Sequence, residues 1–70
     1  MTESLGEALP KEQARVRELI RQYRDPILGG AGEIAARMME ASLQAADRAV
    51  MSGDVVEMIK AHKDLQGYTG

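Results

Sequence analysis

The sequence predicts an all-α protein: two long helices and a short third, arranged as a helical hairpin or small bundle and completed by dimerisation. Three observations predict it. Apolar residues recur at three- and four-residue spacing through most of the chain, the signature of an amphipathic helix. Glycine and proline gather between those stretches, where they act as stops. The 70 residues include no Phe, no Trp and no Cys, so neither aromatic bulk nor a disulfide nor a zinc site completes the core. A second copy of the chain is the simplest remaining source of buried surface.

Residues 1–9 read as a loose lead-in, polar and interrupted by Gly6. Ser4 and Glu7 have capping-box spacing. Pro10, however, fits best at the first helical position, where its missing N–H does no harm. The first helix is therefore expected from about Pro10 to Arg24, with Leu9, Val16, Leu19, Ile20 and Tyr23 on one stripe about 100° wide. Asp25-Pro26 ends it, because the residue before proline is pushed out of the helical region. Ile27 to Gly32, with three glycines in four positions, reads as a flexible connector between antiparallel helices.

The second helix, from about Glu33 to Met51, is the most informative segment. Glu33, Arg37, Glu40, Gln44, Asp47 and Arg48 crowd into an arc of about 100°, while apolar and small residues cover about 200°. A helix packed against one neighbour needs roughly half of that apolar arc. The surplus predicts an interface with a second copy along Ile34, Met38, Ala41, Ser42, Ala45, Ala46 and Ala49. The alanines at 41, 45 and 49 would let two helix axes approach closely. Ser52-Gly53 stops the helix, with Gly53 left-handed, and Asp54 with Glu57 caps a third helix over Val55 to Gln66. Val55, Met58, Ile59, His62 and Leu65 share its apolar face. Residues 67–70 read as a frayed tail.

Charge and composition exclude several classes of function. Nine Lys and Arg against eleven Asp and Glu give a formal charge of −2, far from the basic profile of an avid nucleic-acid binder. No apolar run reaches the length of a membrane span and no charged-then-apolar leader is present, so a cytoplasmic protein is expected. His62 has Met58, Ile59, Leu65 and Gln66 as its helical neighbours, none of which completes a metal or nucleophilic site. Glu33, Glu40 and Asp47 repeat every seventh residue, about 10 Å apart along the axis, too far to share one cation. Gly29-Gly30-Ala31-Gly32 lacks the Lys-Ser/Thr and the preceding strand of a phosphate-cradling loop. Neither catalysis nor a metal or other cofactor is expected.

One feature points to a partner. Arg17, Arg21 and Arg24 align on a flank of the first helix at spacings of four and three, beside Tyr23. Stacked like charges are destabilising on an isolated helix, so they call for carboxylates or phosphates from elsewhere. The second and third helices also bear comparison with a DNA-reading helix-turn-helix. Ala49, Gly53 and Ile59 fall at its small and apolar positions, but Arg48, Ser52 and Asp54 stand where it needs apolar residues. The would-be recognition helix also carries no net charge.

The run Glu7 to Arg24, the glycine-rich connector and Ala45-Ala46-Asp47-Arg48-Ala49-Val50-Met51-Ser52-Gly53-Asp54 resemble small accessory proteins encoded in phage and prophage genomes of proteobacteria. The resemblance covers most of the chain and transfers no functional residue. It implies work in the bacterial host cytoplasm, and the helical build is similar to that of phage-encoded inhibitors of host regulators. The expectation is a homo-oligomer that binds and modulates a host protein. The alternative is a small nucleic-acid-associated regulator using the basic flank of the first helix. Peripheral membrane binding is disfavoured, since Glu12 and Glu18 dilute that flank and no Trp or Phe anchors it.

Overall fold

Three helices wrap one core in the computed structural model, which describes residues 4–69. Helix α1 spans Leu5–Tyr23, a single 3-10 turn covers Pro26–Leu28, α2 spans Gly29–Ser52 and α3 spans Val55–Gln66. Each helix packs on both others. The core holds Leu9, Val16, Leu19 and Ile20 of α1, Ala36, Met39, Leu43 and Ala46 of α2, and Ala61 and Leu65 of α3. The stripe expected on α1 is thus the one that is buried, with Tyr23 half-buried at its end.

Two boundaries differ from the sequence reading, for identifiable reasons. Helix α1 begins at Leu5, so Pro10 lies inside it rather than at its start, and residues 5–9 are helical rather than a loose lead-in. A proline costs the hydrogen bond to the residue four back and crowds its carbonyl. Here that residue is Gly6, whose backbone can adjust. Burial compensates as well: Leu9 is fully buried and Leu5 packs on the core one turn earlier. Ser4 caps the helix through its carbonyl, which accepts from the N–H groups of Glu7 and Ala8, and not through its side chain. Residues 1–3 of the expected lead-in lie outside the described residues.

The glycine-rich connector is also shorter than expected. Asp25 accepts from the Ile27 N–H and sets the 3-10 turn. Gly29, at φ +65°, redirects the chain into α2, which therefore starts four residues before Glu33. Gly32 is buried at the crossing of α2 with the end of α1. A Cβ there would collide with the carbonyl oxygen of Tyr23 and come within 2.8 Å of the Leu28 Cβ. Only glycine lets the two helices meet so closely.

The turn between α2 and α3 follows the sequence reading. Gly53 is left-handed at φ +71°, and its N–H bonds back to Ala49 and Val50. The Asp54 carboxylate accepts from the N–H groups of Val56 and Glu57. The buried face of α3 is rotated, however. Ala61 and Leu65 enter the core, Met58 and His62 are half-buried, and Val55 and Ile59 remain exposed. Small Ala61 allows the close approach that a branched residue would prevent.

The end of the chain is held rather than frayed. The Tyr68 hydroxyl lies 2.8 Å from Ser42 Oγ and donates to the carbonyl of Met38 at 3.2 Å, while the Tyr23 hydroxyl donates to the carbonyl of Thr69 at 2.7 Å. Gly70 lies outside the described residues.

Candidate functional site

The outer face of α2 is built by the same periodicity that builds the core. With Ala31 as position a of a heptad, positions b and f place Gly32, Ala36, Met39, Leu43 and Ala46 in the core. Position c carries Glu33, Glu40 and Asp47, and each meets an arginine of α1 or of its C-terminal cap, Arg24, across the antiparallel crossing. Arg24 lies 2.5 Å from Glu40 and 3.5 Å from Glu33, and Arg17 lies 3.5 Å from Asp47. Asp47 also accepts a 2.7 Å hydrogen bond from buried Gln13. Ile34, Met38, Ala41 and Ala45 point away from the chain's own core, with Arg37, Gln44 and Arg48 exposed alongside them. Ile34 is 64% exposed and Met38 58%.

The expected self-association face is thereby divided. Ile34, Met38, Ala41 and Ala45 are exposed and adjacent. Ala46 and Ala49 are buried within the chain, and Ser42 is half-buried beneath Tyr68, so these three are corrected from interface residues to interior ones. The physical reason is that α2 has two neighbours inside its own chain. Part of the wide apolar arc is taken up by α3, which the sequence pattern alone could not assign.

The basic flank of α1 is corrected more fully. Arg17 and Arg24 face the acidic row of α2, so the carboxylates they call for come from the same chain. The hydrogen bond to the Glu40 carboxylate, opposed by some loss of hydration and aided by the charges of Glu40 and Glu33, holds the Arg24 guanidinium above the ordinary arginine value. Arg21 turns outward and meets Glu18, at 3.6 Å. Tyr23 is engaged with Thr69. The acidic heptad, whose spacing is too wide for one cation, is the other half of this inter-helix ladder.

Two further features escaped the sequence reading. Arg15 donates to the carbonyls of Leu65 and Tyr68 while paired with Glu12. Val50, Met51, Val55, Val56 and Ile59 form a second exposed apolar group around the α2–α3 turn, with Met51 87% exposed. The apolar pattern contained both of its halves but could not say which residues α1 would leave uncovered.

Open cavities mark the surface of the described residues. Those of about 290 and 240 Å³ both have Ala45 in their walls, the first with Arg48 and Glu57, the second with Glu57, Lys60 and Asp64. The third, about 170 Å³, is formed by Tyr23, Leu28, Ala31, Gly32 and Ala35. Among the described residues, no three His, Cys, Asp or Glu side chains gather as a metal-ligand set, and no helix is long and apolar enough to cross a membrane. No protein-family model matches the chain, and neither a curated protein nor a solved structure is significantly similar to it.

Proposed function

We propose that this protein works by binding: it self-associates through the outer face of α2 and, as an oligomer, engages and modulates another protein. One observation carries the reading. Large apolar side chains at Ile34 and Met38 stand in water beside Ala41 and Ala45, on a helix whose opposite face is buried in the core. Single exposed hydrophobics are ordinary, but an ordered row of them along one helix suits an interface. The exposed apolar group at the α2–α3 turn leaves a separate surface for the second partner. The resemblance to phage accessory proteins suggests that this second partner is a bacterial host factor.

The nucleic-acid reading has less support. It relied on a basic strip along α1, and two of its three arginines are neutralised by Asp47, Glu33 and Glu40. A strip so compensated offers little counterion release to a phosphate backbone. Light scattering on a size-exclusion column tests the proposal. The expected result is a mass of at least twice the 7.6 kDa chain at micromolar concentration, and a monomer under those conditions would refute it.

A further inference from the structure

We draw no further inference here: the strongest candidate, the exposed apolar patch formed by Val50, Met51, Val55, Val56 and Ile59 around the α2–α3 turn, is an unpartnered face, and nothing in the structure shows what covers it.

Discussion

Arg15 of α1 closes the C-terminal end of α3: its Nη2 lies 2.8 Å from the carbonyl oxygen of Leu65, and its Nη1 lies 2.7 Å from that of Tyr68. The last carbonyls of a helix have no intrahelical donor and carry the negative end of its dipole. A guanidinium supplied by a neighbouring helix satisfies both needs at once. Glu12, one turn earlier on α1, holds it in place at 2.8 Å.

Replacing Arg15 with Met keeps the aliphatic stem and removes the charged donors. The expected loss is about 1–3 kcal/mol of folding stability, the range for hydrogen bonds to charged groups in partly buried positions. Urea denaturation measures it. Hydrogen exchange should show the amide of Tyr68, bonded to the Leu65 carbonyl, losing protection first.

Gly32 and Gly30 make a paired test of close packing. Gly32→Ala introduces a methyl into the Tyr23 carbonyl and is expected to cost about 2 kcal/mol or more. Gly30→Ala meets nothing within 4 Å and should stabilise the helix by about 0.5–1 kcal/mol. Thermal melts of the two variants should move in opposite directions.

Tyr68 links the end of the chain to the middle of α2. Tyr68→Phe removes the hydrogen bonds to Ser42 and the Met38 carbonyl and should cost about 1 kcal/mol. Deleting residues 68–70 also removes the Tyr68 carbonyl that accepts from Arg15 and the Thr69 carbonyl that accepts from Tyr23, so its cost in the same denaturation experiment should be larger. A frayed tail would give no change in either case.

The Arg24–Glu40 contact is exposed to solvent, so salt should erode it. A double-mutant cycle with Arg24→Ala and Glu40→Ala is expected to show favourable coupling at low ionic strength that shrinks at high salt. The pH dependence has a definite sign. A raised arginine value means its contribution is complete below the unfolded value and is lost only as pH climbs through the folded one. Stability from Arg24 is therefore flat through neutral pH and falls only in strong alkali.

Ala45 and Ala46 separate association from folding. Ala45→Glu places a charge on the exposed face and should yield a folded protein of reduced mass. Ala46 is fully buried, so Ala46→Glu should unfold the chain by burying an unpaired carboxylate. Circular dichroism with light scattering distinguishes the two outcomes.

The sequence by itself determined the helical class, the buried stripe of α1, the stop at Gly53, the Asp54 cap and the limits of α3. Each of these is a local matter, set by spacing along one helix or by backbone conformation at one residue. Tertiary structure decided the rest. Whether Pro10 could be carried inside a helix depended on the burial of Leu5 and Leu9. Ala46 turned inward and Ala45 outward because α2 has two neighbours and not one. The arginines of α1 and the carboxylates of α2 were both visible in the sequence, but as separate surfaces. Only the antiparallel crossing of the two helices brings residues 17 and 47 within 3.5 Å, a distance no periodicity encodes.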